Sequence, residues 1–89
     1  MILVSLFDSK AQTWSNPHVC QNKAAALREF GMLVNDSRGS LVSQNPADFD
    51  LFQVACCNDL FDGELRPCSP AFHLANGKDV KQLPPEVKS

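Results

Sequence analysis

Long hydrophobic runs are missing from this sequence. The longest apolar stretch, residues 52–57, is interrupted by Gln53 and is far shorter than the roughly 18 residues that a membrane-spanning helix needs. The apolar residues 1–4 are not preceded by a basic region or followed by a long apolar stretch, so we expect no signal peptide. The sequence therefore predicts a cytosolic protein that does not bind a membrane.

The glycine and metal-ligand patterns of common enzymes are missing as well. The four glycines are scattered, so they form no phosphate-binding loop. There is no Cys-x-x-Cys pair, and the adjacent Cys56 and Cys57 would point to opposite faces of a strand. The acidic residues do not follow the spacing of a calcium loop. Because no nucleophile, base and orienting group can be combined, we expect no enzyme, no metal site and no cofactor.

His18 and Cys20 stand close together just before a predicted helix. One interpretation is a nucleophilic cysteine beside a base, and another is a phosphate site formed by helix-end amides, His18 and Lys23. A solvated loop explains the same residues, with the Lys23 side chain covering apolar surface, and we favour it. Without a secretion signal, the four cysteines should be free thiols.

Neither sign of charge dominates the chain. Eight Lys and Arg against ten Asp and Glu give a net charge of −2, so the overall field repels polyanions. Any nucleic-acid binding must therefore depend on a local cluster of cations. A chain of 89 residues has room for one small core, and a partner that covers part of its surface would stabilise it. We therefore expect a homo-oligomer.

The clearest secondary structure lies in the first half of the chain. Residues 2–7 are rich in alternating apolar side chains and predict a strand, beside which Thr13–Trp14 can return as a hairpin. Asn22 is a good helix N-cap, and the apolar spacing after it predicts a helix over residues 23–35. Gly31 lies at the edge of the apolar stripe, where the missing side chain would let a strand approach closely.

The second half of the chain predicts further strands. Residues 35–48 hold many turn formers and predict a loop, with one helical turn at Asn45–Pro46. Residues 49–57 are apolar on both faces, as in a central strand. Asp62–Gly63 is a strong hairpin turn, and residues 71–74 predict a last edge strand.

Together these elements predict an α+β fold, with a small antiparallel sheet of about three to five short strands packed on one main helix. Residues 1–75 would form a single domain. Residues 76–89, which are polar and hold no aromatic side chain, would form a mobile C-terminal tail.

Single-stranded nucleic acid is bound by aromatic rings interleaved with cations. Trp14, the single tryptophan, is followed by polar residues and could be a partly exposed stacking platform. Its alternative role is simply to cap the small core, and at this chain length we favour that role. The candidate nucleic-acid-binding residues are Lys10, Trp14, Lys23, Arg28 and Arg38.

Several short motifs, taken in order and spacing, resemble the small nonstructural protein of gokushoviruses, the microvirus group of single-stranded DNA bacteriophages. The resemblance covers about residues 3–65. It is carried by residues 6–11, 16–17, 22–30, 34–36, 45–52 and 61–62. The sequence departs from the pattern from Arg66 onward, so the resemblance supports no function located there.

The resemblance implies a nonstructural accessory protein in the cytoplasm of the infected bacterial host, acting in viral single-stranded DNA replication or genome production. The first hypothesis is that it binds single-stranded DNA. The alternative is an oligomerising adaptor that contacts a viral or host replication protein through an exposed helix face or an unpaired strand edge. A continuous basic stripe would favour DNA, and scattered cations would favour the adaptor.

Overall fold

The computed structural model describes residues 1–57 and 64–81, and it confirms the predicted α+β class. Within these residues, every helix is too short or too polar to traverse a lipid bilayer. The elements, in chain order, are β1 (Ile2–Asp8), β2 (Thr13–Trp14), β3 (His18–Cys20), α1 (Lys23–Val34), α2 (Leu41–Gln44), a 3₁₀ turn (Pro46–Asp48), β4 (Phe49–Cys57), β5 (Leu65–Asn76) and α3 (Gly77–Val80).

The five strands form one antiparallel sheet with β4 at its centre. β4 pairs with β1 on one side and with β5 on the other, which confirms the central strand predicted for residues 49–57. The free edge of β1 is shared by two short strands, because β2 covers only Phe7 and Asp8 whereas β3 covers residues 2–4. This arrangement places the loop containing Pro17 between β2 and β3.

Helix α1 begins and ends at side-chain caps. Asn22 Oδ1 accepts a hydrogen bond from the Ala25 amide at 2.9 Å, an interaction that contributes about 1 kcal/mol at an N-cap. At the other end, the backbone N–H and the side-chain Nδ2 of Asn35 both donate to the Gly31 carbonyl. The helix predicted over residues 23–35 is confirmed.

The core lies between α1 and one face of the sheet. Ala26, Phe30 and Val34 recur at spacings of four and are buried. They form a cluster with five buried side chains of the strands, which are Val4, Cys20, Phe49, Leu51 and Ala75. Because side chains alternate along β1, Phe7 points to the other face of the sheet. We call that other face, which carries Ser5, Phe7, Trp14, Phe52 and His73, the open face.

Two expectations for the region before β4 and for β5 need correction. Residues 35–48 were expected to form a loop with one helical turn, yet they also contain α2, whose first turn is capped by Ser40 accepting from the Ser43 amide. β5 runs from Leu65 to Asn76 instead of covering residues 71–74 only. It tolerates Pro67 and Pro70 because it is paired on one side only, with β4, among the described strands.

The structure continues past residue 75, where the mobile tail was expected to begin. Asn76 and Asp79 form a capping box that starts α3. The end of α3 is tied to α1 and its C-cap, since Asn35 Nδ2 donates to the Val80 carbonyl (3.0 Å) and Lys81 Nζ donates to the Val34 carbonyl (3.2 Å). The rest of the predicted tail, residues 82–89, and the predicted turn at Asp62–Gly63 lie outside the described residues, so both stay predictions.

Two glycines occupy opposite environments. A Cβ atom built on Gly31 meets nothing within 4 Å, so the close strand approach expected at this position is wrong. A Cβ atom on Gly77 would instead meet the Pro46 carbonyl oxygen and come within 2.8 Å of its carbonyl carbon. The first turn of α3 therefore packs directly on the backbone of the 3₁₀ turn.

Candidate nucleic-acid interface

Four rings form a continuous row across the open face, with one ring from each of β2, β1, β4 and β5. The ring centroids of Phe7 and Trp14 are 5.0 Å apart, those of Trp14 and Phe52 are 5.2 Å apart, and those of Phe52 and His73 are also 5.2 Å apart. These separations lie in the range of favourable aromatic contacts. We call Phe7, Trp14, Phe52 and His73 the aromatic row.

The strand register explains why these rings meet. Phe7 lies directly opposite Trp14, and Phe52 lies directly opposite His73, and directly opposed side chains share one face of a sheet. Ser5 lies opposite Phe52, and its small side chain leaves room for the Trp14 ring to reach Phe52 across β1. Ser5 is 4% exposed, and its hydroxyl donates to the Ser15 carbonyl at 2.7 Å.

Trp14 and His73 are both half-exposed rings of the aromatic row, but they differ in their contacts. Trp14 is 50% exposed, which is enough to offer a large ring surface to a ligand. His73 is held by Asp50, whose Oδ1 lies 2.8 Å from His73 Nε2 and also accepts from Asn76 Nδ2 at 3.0 Å. The row therefore ends at His73 in a ring that Asp50 holds, while the half-exposed Trp14 ring lies between Phe7 and Phe52.

The five candidate residues predicted from the sequence do not lie on one surface. Lys10 is in the turn between β1 and β2, so it belongs to the same hairpin as Trp14. Lys23 and Arg28 are exposed on α1, which packs on the opposite face of the sheet from Trp14. The structure thus separates the helix cations from the tryptophan.

Arg38, the fifth candidate, lies in the loop after α1 and makes two hydrogen bonds to Asp36, at 3.1 and 3.2 Å. These bonds hold the pKa of the Asp36 carboxyl below its usual value. The Arg38 side chain is 87% exposed but already has an anionic partner. The four candidate cations are therefore scattered and form no continuous basic stripe, so the charge criterion set from the sequence favours the adaptor hypothesis over DNA.

A second cluster of polar side chains joins β3 to α1. His18 Nε2 lies 3.1 Å from Glu29 Oε1, and the Cys20 thiol donates to the same oxygen at 3.8 Å. Burial, followed by the charge and the hydrogen bond of Glu29, raises the pKa of Cys20. Sequence reasoning singled out His18 and Cys20 but placed them in a loop and did not consider Glu29.

Comparison with known proteins gives one match. No curated protein and no solved structure matches the chain. A family model described as Phage ORF5 protein matches residues 1–80, a range that includes the whole aromatic row and every candidate residue. On the strength of this match over most of its length, the chain belongs to the Phage ORF5 protein family and is a bacteriophage protein.

Proposed function

We propose that this phage protein is a non-enzymatic accessory protein of the gokushovirus type that binds single-stranded DNA on the open face during viral genome production in the host cytoplasm. The aromatic row carries the proposal, because sequence-tolerant binding of single strands depends on rings that stack with bases. The resemblance of residues 3–65 to the gokushovirus nonstructural protein supports the same viral setting.

Trp14 is the ring that would receive a base. It is half exposed, and its contacts with Phe7 and Phe52 hold the indole against the sheet, so little side-chain freedom is left to lose on binding. Base stacking on such a ring contributes about 1–3 kcal/mol. The neighbouring Phe52 and His73 extend the surface toward β5 for a second base.

Electrostatic attraction would contribute little to this interface. The net charge is −2, and of the candidate cations only Lys10 shares a hairpin with Trp14. Each phosphate contact to single-stranded DNA changes the slope of log K against log salt by about −0.7. Binding at the open face should therefore be dominated by stacking and should depend weakly on salt.

The intrinsic fluorescence of the protein tests this proposal directly, because Trp14 is the single tryptophan. Titration with a single-stranded oligonucleotide at low salt should quench the emission saturably, since a stacked base contacts the indole. Duplex DNA of the same sequence should quench much less, because its bases are already stacked on each other. Unchanged emission with the single strand at low salt would refute the open face as the interface.

A second candidate function, the oligomerising adaptor, is favoured by the free edge of β5. Phe72 and Leu65 on this strand are 62% and 50% exposed, and β5 pairs only with β4 among the described strands. An unpaired strand edge with large apolar side chains is a template for adding another strand. That strand would come from a second copy of the chain or from a viral or host replication protein.

Light scattering tests this second function. The free protein should be larger than a monomer at micromolar concentration, and Phe72→Lys should reduce its mass to that of the monomer, because a charge on a strand edge opposes strand addition. Met32→Lys is a matched control, since Met32 is 68% exposed on α1 and lies away from the β5 edge. A monomer mass for the unaltered protein at all micromolar concentrations would contradict self-association.

A further inference from the structure

The cluster of His18, Cys20 and Glu29 brings three different ligand types to one point of the surface. Their ligand atoms, a histidine nitrogen, the cysteine sulfur and a carboxylate oxygen, all lie within 4.8 Å of one another. His18 and Cys20 are two residues apart on β3, so their side chains leave the strand on the same side. Glu29 reaches the same point from the middle of α1.

Two of these separations are close to those of a tetrahedral zinc site. Typical zinc distances are about 2.3 Å to sulfur and about 2.0–2.2 Å to nitrogen and oxygen, so neighbouring ligands around the ion are separated by roughly 3.3–3.8 Å. Here the nitrogen and oxygen are 3.1 Å apart, and the sulfur and oxygen are 3.8 Å apart. The histidine nitrogen and the sulfur lie within 4.8 Å of each other, so side-chain adjustments of about 1 Å or less would bring all three atoms to zinc-binding separations.

The ligand chemistry selects a borderline-soft transition ion. A thiolate is a poor ligand for magnesium or calcium, which take oxygen ligands, whereas zinc accepts nitrogen, sulfur and oxygen together. A thiolate, a carboxylate and a neutral imidazole would balance the two charges of the ion, which suits a cluster whose cysteine is 3% exposed. We propose that His18, Cys20 and Glu29 bind a zinc ion, with water in the fourth position.

Access for that water is provided by the exposed side of the cluster. The side chains of His18 and Glu29 are each 56% exposed, and both line a cavity of about 150 Å³ between β1 and α1. The sequence-based expectation of no metal site rested on spacing between cysteines. It did not consider a site that α1 completes with a carboxylate.

The ion would join β3 to α1. β3 has three residues, pairs only with β1 among the described strands, and exposes His18 and Val19. Zinc ligated from both elements would hold this short strand against the helix, because an ion that binds only the folded chain adds its binding free energy to stability. The site is independent of the open face, on which none of its ligands lies.

Cobalt(II) provides a spectroscopic probe of the site in the full-length, reduced protein freed of metal by a chelator. We expect one cobalt per chain, with a thiolate-to-cobalt charge-transfer band and the strong visible bands of tetrahedral coordination. Added zinc should bleach both. Glu29→Gln and His18→Ala should each weaken cobalt binding by at least about tenfold, and Cys20→Ser should remove the charge-transfer band.

The other histidine and an exposed cysteine provide controls. His73→Ala and Cys56→Ser should bind cobalt as the unaltered protein does, because neither residue belongs to the cluster. At the same zinc concentration, the unfolding temperature should rise more for the unaltered protein than for Glu29→Gln, which changes an exposed side chain and can be checked for folding by circular dichroism. Cobalt bands that are absent, or that disappear in Cys56→Ser while persisting in Glu29→Gln and His18→Ala, would overturn the proposal.

Discussion

Replacing Trp14 with alanine is expected to weaken the binding of single-stranded DNA by about 5- to 150-fold, which corresponds to a loss of about 1–3 kcal/mol of base stacking. The indole is 50% exposed, as is the smaller His73 side chain, so it is the largest ring surface that the aromatic row offers to a base. Trp14→Phe should retain a large part of the affinity, because a smaller ring at the same position still stacks. Fluorescence anisotropy of a labelled oligonucleotide measures all three affinities.

The cations supply the matched controls for this prediction. The double variant Lys23→Ala with Arg28→Ala should bind nearly as well as the unaltered protein, because both side chains belong to α1 on the far side of the sheet. If the Lys10 ammonium contacts a phosphate, Lys10→Ala should reduce the magnitude of the slope of log K against log salt by about 0.7. A larger loss in the helix variant than in Trp14→Ala would place the interface on α1 and contradict the open face.

Stability must be measured beside affinity for the tryptophan variant. Trp14 contacts Phe7 and Phe52, and aromatic pairs contribute about 0.5–1.5 kcal/mol beyond the area that they bury. Some loss of stability is therefore expected in Trp14→Ala. Thermal unfolding followed by circular dichroism shows whether the variant is folded at the temperature of the binding experiment.

The parts of the fold that sequence predicted well are those with a strong local pattern. β1 and β4 have the composition and apolar pattern of strands, and α1 has both a cap and a regular apolar stripe. β3 was missed because three residues after a proline contain no periodicity. It exists because β2 covers only the last part of β1 and leaves residues 2–4 to pair with another segment.

The candidate site shows the same division between local and long-range information. Trp14 was identified from its own neighbours in the sequence. Because side chains alternate between the two faces of a strand, the sequence could also have shown which face of its own strand Phe7 and Phe52 each occupy. The row itself depends on register between strands that are far apart along the chain. Glu29 was missed for a similar reason, since the contact of α1 with β3 is a tertiary one.

The start of α3 did carry a local sequence pattern that predicts a helix. Asn76 is followed three residues later by Asp79, the spacing of a capping box, and the structure forms that box. The polar composition after Ala75 predicted a tail instead, because composition alone does not include the contacts that α3 makes. Those contacts, with Asn35 and with Pro46, decide whether the segment packs.

Gly77→Ala is expected to lower the free energy of unfolding by about 1–3 kcal/mol, the usual cost of forcing extra volume into a packed site. The new methyl group would meet the backbone of Pro46, coming within 2.8 Å of its carbonyl carbon and 3.0 Å of its Cα. Backbone atoms cannot move to another rotamer as a side chain can. The clash would therefore force α3 and the 3₁₀ turn apart. Thermal or denaturant unfolding at a fixed protein concentration measures the change.

Gly31→Ala makes the same chemical change in open space and should have the opposite sign. Nothing lies within 4 Å of the added Cβ, and alanine favours a helix interior over glycine by up to about 1 kcal/mol, so this variant should be more stable than the unaltered protein. If residues from 76 onward were instead a mobile tail, Gly77→Ala would leave stability unchanged. If Gly77→Ala lowers the free energy of unfolding and Gly31→Ala raises it, the packed domain continues through α3. An unchanged unfolding curve for Gly77→Ala would instead place the end of the domain at residue 75.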